Sequence, residues 1–93
     1  MSESNFNSSV FDLYQVEIYD GTNVVYRRKF PTLASAKNAI RYFVRNSLSI
    51  DSFKFWITIY TYDIDTFNCI DFRGLDMSYF ANNIFKKGGI INE

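Results

Sequence analysis

The ten residues Phe53-Lys54-Phe55-Trp56-Ile57-Thr58-Ile59-Tyr60-Thr61-Tyr62 alternate in character with a period of two. That period belongs to a β-strand with one face buried. Phe53, Phe55, Ile57 and Ile59 fall on one side and read as core. Lys54, Trp56, Thr58, Tyr60 and Tyr62 fall on the other. The second side mixes polar residues with three large aromatics, so it reads as a surface meant to be touched. A strand of this kind needs neighbours, and the rest of the chain supplies them.

Residues 1–9 are polar and read as a tail, which leaves one domain over residues 10–93. Tyr14 to Tyr19 alternates as a strand. Asp20-Gly21-Thr22-Asn23 is a hairpin turn signal, and Val24 to Phe30 is the return strand. Pro31 ends that strand because it lacks an amide hydrogen, and Thr32 is placed to cap a helix. Leu33 to Asn46 carries Ala36, Ala39, Ile40, Phe43 and Val44 at helical spacing. Lys37, Arg41 and Arg45 follow at steps of four as a basic stripe.

After the strand Phe53–Tyr62, Asp63-Ile64-Asp65-Thr66 reads as a turn and Phe67 to Phe72 as a second return strand, broken at Gly74. A last helix opens at Leu75 or Asp76, with Phe80, Ala81, Ile84 and Phe85 inward. Lys86 and Lys87 suit its negative end, and Gly88 suits its C-terminal cap.

The pieces recur. Val16-Glu17-Ile18-Tyr19 precedes Ile57-Thr58-Ile59-Tyr60 by 41 residues, and Phe30 and Leu33 precede Phe72 and Leu75 by 42. Ala39, Ile40, Phe43 and Val44 precede Phe80, Ala81, Ile84 and Phe85 by 41. The expected fold is therefore α+β in ββαββα order: a four-stranded antiparallel sheet with two helices on one face. Duplication of a hairpin–helix unit is one origin; two similar units without common descent is the other. The inward set would be Val16, Ile18, Ala36, Ile40, Phe43, Phe55, Ile57, Ile59, Phe80, Ile84 and Phe85. The first return strand resists this scheme, since Arg28 points the same way as Tyr26 and Phe30. A bulge or an edge position would resolve it.

Composition narrows the chemistry. The sequence has no histidine, which removes the commonest general base and metal ligand. Cys69 is the single cysteine, so no intrachain disulfide forms. No apolar run approaches the ~20 residues of a membrane-spanning helix. The first residues lack the pattern of a secretory signal. The expected setting is the cytoplasm. Heavy use of Asn, Ile, Phe and Tyr suggests an AT-rich gene of the kind phages and mobile elements carry.

Net charge is zero, with ten basic and ten acidic residues, which argues against a dedicated duplex-DNA binder. The charge is unevenly spread. Six basic residues and no acidic one lie between Arg27 and Ser49.

Asp63, Asp65, Asn68 and Asp71 resemble the spacing of a calcium loop, but Phe67 and Gly74 stand where oxygen ligands belong. Turn formation explains these residues more simply. Nothing near Cys69 in sequence supplies a base. The expectation is no enzyme, no catalytic or metal-binding residues, no cofactor and no small-molecule substrate. The candidate partner-binding set is Trp56, Tyr60, Tyr62 and Tyr19, with Arg27, Lys29, Arg41 and Arg45 adding charge. A protein partner or self-association is the leading reading. It would suit an accessory protein such as an inhibitor of a host system or a small virion subunit. The alternative is a nucleic-acid-binding module, with the aromatics stacking on bases and the basic helix stripe meeting phosphates.

Overall fold

The computed structural model describes residues 9–91, with side chains as far as Lys87. The tail expected over residues 1–9 lies outside the described residues except for Ser9. The elements are β1 (Val10–Asp20), β2 (Asn23–Phe30), α1 (Leu33–Arg45), β3 (Phe53–Asp63), β4 (Cys69–Asp76) and α2 (Ser78–Ile91). The four strands form one antiparallel sheet in the order β2-β1-β3-β4. The ββαββα order and the α+β class are those expected from the sequence.

The alternation in β3 fixes which face is covered. Phe55 and Ile57 are fully buried or nearly so, as are Val16 and Ile18 opposite them on β1. Ala36, Ile40 and Val44 of α1 and Ala81 of α2 complete that core, with Phe43, Phe80, Ile84 and Phe85 packed against it. Every residue of the expected inward set belongs to this cluster or lines it. Ile50 and Met77 join it from the connections, where no periodicity marks them.

Local chemistry sets the boundaries. Gly21 alone of the first turn has a positive φ, +63°, the pattern of a two-residue type II′ hairpin. Thr32 caps α1: its side chain accepts a hydrogen bond from the Ser35 amide at 3.1 Å. Asp76 serves α2 from one residue further out: Oδ1 accepts from the Ser78 amide at 2.9 Å, while the Met77 carbonyl takes the first helical bond, from the Ala81 amide at 3.0 Å.

Several boundaries differ from expectation. β4 begins at Cys69 rather than Phe67, because Phe67 and Asn68 still belong to the loop, and α2 opens at Ser78 rather than at Leu75 or Asp76, which pair with Ile57 and Trp56 as the end of β4. β1 begins at Val10, four residues before Tyr14, because Phe11 and Leu13 extend its alternation and pair with Tyr62 and Tyr60. β4 runs through Gly74 to Asp76 rather than breaking there. The ladder holds Gly74 opposite Thr58, and the Trp56 ring lies beside it, in ordinary contact distance of the place a Cβ would take. α2 continues past Gly88 to Ile91, so Gly88 does not end it.

The resistant strand is resolved as an edge strand with a bulge. The β1–β2 register shifts between Ile18 and Tyr19, which leaves Val25 as the extra residue. Tyr26, Arg28 and Phe30 then lie opposite Ile18, Val16 and Tyr14 on the covered face. At the edge Arg28 is exposed, with its guanidinium 5.5 Å from the centre of the Phe30 ring.

The repeat holds at the centre of the sheet and in the helices and fails at the second hairpin. Val16 and Ile57, 41 residues apart in the chain, are direct ladder partners and both wholly buried. A local two-fold axis through that pair exchanges β1 with β3. Beyond it, the five-residue β3–β4 loop replaces the two-residue first turn, and the spacing lengthens. Phe30 faces the covered side while Phe72 faces the open one, opposite Tyr60. Leu33 is in a helix and Leu75 in a strand. In the helices the 41-residue spacing persists: Ile40 and Ala81 are both wholly buried, and Phe43 and Ile84 both pack against the core.

Candidate functional site

Both helices lie on one side of the sheet, so the residues of opposite parity form an open face. β3 contributes Lys54, Trp56, Thr58, Tyr60 and Tyr62. Across the ladder stand Tyr19, Glu17, Gln15, Leu13 and Phe11 of β1, in that order. Asp76, Gly74 and Phe72 of β4 flank Trp56, Thr58 and Tyr60. Arg27 and Lys29 of β2 flank Glu17 and Gln15.

The face divides into two ends. At the end near the first turn, Arg27 Nε donates to Glu17 Oε2 at 2.8 Å, and the Tyr19 hydroxyl donates to Glu17 Oε1 at 3.4 Å. These contacts raise the Arg27 pKa, chiefly through the Glu17 hydrogen bond. The charge of Arg27 is thus already matched within the fold.

The other end is aromatic. Phe11 stacks on Tyr62 with centroids 5.4 Å apart, and Phe67 meets Phe11 edge-on at 6.1 Å. Tyr60 lies 6.4 Å from Tyr62 and 6.2 Å from Phe72. Phe67 and Phe72 are each about two-thirds exposed, at 69% and 68%. Trp56 sits between the two ends, over Gly74.

Lys29 joins this aromatic end from two strands away. Its side chain crosses β1, and Nζ donates to the Tyr62 hydroxyl at 3.0 Å. The ammonium lies 5.1 Å from the Tyr60 ring centre and 5.6 Å from that of Tyr62. The Tyr62 hydrogen bond is the main reason its pKa is raised above the ordinary lysine value.

The candidate residues are therefore not one site. Tyr60, Tyr62 and Lys29 share the aromatic end; Tyr19 and Arg27 belong to the polar end, and Trp56 bridges them. Arg41 and Arg45 lie on α1, across the sheet, and do not border this face. Arg41 stacks on Phe80 at 5.2 Å and donates to Asn38 Oδ1 at 2.6 Å, while Lys37 lies 5.5 Å from the same ring. Much of the basic stripe is thus occupied in covering the junction of the two helices.

Phe11, Leu13, Phe67 and Phe72 are members of the face that sequence reasoning missed. For Phe11 and Leu13 a signal existed, because the alternation of β1 continues back to Val10. For Phe72 the extra residue at Ile70 hides the facing, since the β3–β4 register shifts between Thr61 and Tyr62.

The polar loop residues are engaged structurally. Asp63 Oδ1 accepts from the amides of Asp65 and Thr66 at 2.8 and 3.1 Å. The Cys69 thiol is exposed and donates to the Asp71 carbonyl at 3.4 Å. Among the described residues, no group of three or more Cys, Asp or Glu is placed to hold a metal, and no helix is long and apolar enough to cross a membrane. Comparison with family models, with curated proteins and with solved structures gives no match.

Proposed function

We propose that this protein is a non-catalytic binding module of the cytoplasm that seats a protein partner on its open sheet face. The observation that carries the reading is the aromatic end, where Phe67, Phe11, Tyr62, Tyr60 and Phe72 form a chain of ring contacts with the Lys29 ammonium over Tyr60 and Tyr62. Phe67 and Phe72 are about two-thirds exposed and Trp56 about one-third, so with the part-exposed rings beside them they offer a few hundred Å², roughly the apolar centre of the ~800 Å² that one side of a specific interface uses. The Lys29 ammonium suits a carboxylate on an otherwise apolar partner surface. Masking such a surface needs no chemistry of the module's own. That fits an inhibitor or a small virion subunit, and the amino-acid bias fits a phage or mobile-element gene.

Electrostatics favour protein over nucleic acid. A single-strand groove needs cations along its aromatic track. Here Arg27 is matched by Glu17, and Arg41 and Arg45 lie on the far side of the sheet. The test is recovery of partners from the source cell by wild type, Trp56→Ala/Tyr60→Ala and Arg41→Ala/Arg45→Ala, followed by titration of the recovered protein. The sheet variant should weaken binding by at least about 30-fold, as central aromatic anchors do when worth ~2 kcal/mol or more. The helix variant should bind as wild type does. Undiminished binding by the sheet variant refutes the reading. A gel shift of single-stranded RNA or DNA that weakens steeply with salt replaces it with the nucleic-acid alternative.

A further inference from the structure

The two edges of the sheet are guarded differently. β2 presents Arg27-Arg28-Lys29 and is followed by Pro31. A second copy of β2 laid antiparallel on that edge would set cation against cation, and Pro31 offers no donor. β4 is the opposite edge, and residues 69–74 are exposed. Its exposed apolar residues are Ile70 and Phe72, at 57% and 68%. Asp71 and Arg73 lie on the same face as Ile59, beyond the cover of the helices. Among the described residues neither side chain has a hydrogen-bond or ion-pair partner.

We infer that β4 pairs antiparallel with β4 of a second copy, centred on Phe72, to make one eight-stranded sheet. The segment Asp71-Phe72-Arg73 is self-complementary in charge. An antiparallel two-fold through Phe72 places Asp71 opposite Arg73 of the second copy, and Arg73 opposite its Asp71. Opposite charges facing each other across a ladder stabilise it, and like charges destabilise it. The same register sets the two Phe72 rings side by side on the open face, next to Tyr60. Residues facing each other keep the same parity, so backbone donors and acceptors meet as an antiparallel ladder requires. The charges also narrow the partner: a strand must carry a cation and an anion two residues apart to match Asp71 and Arg73, and a second copy does so.

This inference concerns the edge of the sheet and stands apart from the partner proposed for its face. The test is sedimentation equilibrium of the full chain over a hundredfold range of concentration, with circular dichroism to confirm folding. Wild type should dimerise. Asp71→Arg and Arg73→Asp should each be monomeric, because each sets like charges opposite each other twice. Their equimolar mixture should form a heterodimer, because a segment with two cations then faces a segment with two anions. The double variant Asp71→Arg/Arg73→Asp, with net charge unchanged, should dimerise as wild type does. A monomeric wild type at the highest concentration overturns the inference and leaves the open-face proposal standing. Dimers that persist in both single variants, or single variants that fail to rescue each other while folded, overturn it equally.

Discussion

The two hairpin–helix units share a plan and differ where the chain turns. Each hairpin end holds one residue in the left-handed backbone region, at nearly the same angle: Gly21 at φ +63° and Phe67 at φ +61°. In the first turn that residue is the one amino acid that accepts the angle without penalty. In the second it is a bulky aromatic, for which the same angle costs roughly 1–2 kcal/mol. The second loop holds it there. The Phe67 amide donates to the Asp63 carbonyl at 2.8 Å, and the Asp63 carboxylate accepts from the next turn of chain. The first hairpin is thus shaped for stability. The second tolerates strain to set a ring against Phe11 at the aromatic end of the open face. Backbone strain of this kind gathers where a surface has work to do.

The equivalence of the two units is tested hardest in the core. Ile18 and Ile59 are related by the local two-fold axis, yet Ile18 is fully buried and Ile59 is at 7% exposure. Ile18 faces Phe55 under the helices, while Ile59 faces Tyr14 and Arg73 toward the open edge. Ile18→Ala should cost about 4 kcal/mol and Ile59→Ala about 2–3 kcal/mol, within the usual range for deleting a buried isoleucine. Urea denaturation measures both. Equal costs would mean that the helices protect the second hairpin as well as the first.

The turns come next in size. Gly21→Ala should destabilise by about 1–2 kcal/mol through the backbone alone. No other group lies within 4 Å of the position its Cβ would take. Phe67→Gly should relieve a comparable strain while losing a ring contact worth about 0.5–1.5 kcal/mol, for a net change near zero. Partner affinity should nevertheless fall in the Phe67→Gly variant and stay unchanged in Gly21→Ala. A Phe67→Gly protein that keeps full affinity would make the strained ring an accident of the loop.

The same contrast explains how much could be read without coordinates. The strands β1 and β3 were legible because a period of two survives wherever one face is buried; that they pair with each other at the centre of the sheet was not marked in either strand alone. The α1 boundaries followed from Pro31, Thr32 and the helical stripe. β4 was only half legible. It is an edge strand exposed on both faces, so burial imposes no period, and the extra residue at Ile70 shifts the parity of what remains. Gly74 then read as a breaker although the ladder carries it. The division of the candidate site into two layers was illegible for a different reason. Arg41 and Arg45 are near Lys29 in sequence, but the crossing from β2 to α1 carries the chain from the sheet to the layer above it.

Gly74 offers a smaller test of the second hairpin. Its absent side chain leaves room beside Trp56, whose Cε3 would lie 3.7 Å from an added Cβ, an ordinary contact. Gly74→Ala should therefore stabilise the protein by about 0.5 kcal/mol, through the reduced freedom of the unfolded chain. A thermal melt would show a small rise. A fall would mean that the Trp56 ring needs the bare backbone, and Trp56 would then be held more tightly than its exposure suggests.

The smallest difference lies at the two helix caps. Thr32 caps α1 with a hydroxyl that does not titrate, and Asp76 holds the first amide of α2 with a carboxylate. Hydrogen bonds from the Ser78 backbone and side chain, aided by Lys54, lower the Asp76 pKa below its ordinary value of 3.8. Its contribution is therefore fully present above the unfolded-state pKa and is lost as pH falls through the lower folded-state value. Acid should loosen the start of α2 before that of α1. Amide exchange followed by NMR from pH 5 to pH 2 would show faster opening at Ser78 with Ser35 unaffected. Asp76→Asn keeps a capping side chain that cannot titrate, so it should abolish the difference between the helices. If α2 still loosens first in that variant, the weakness belongs to the second unit's packing rather than to its cap.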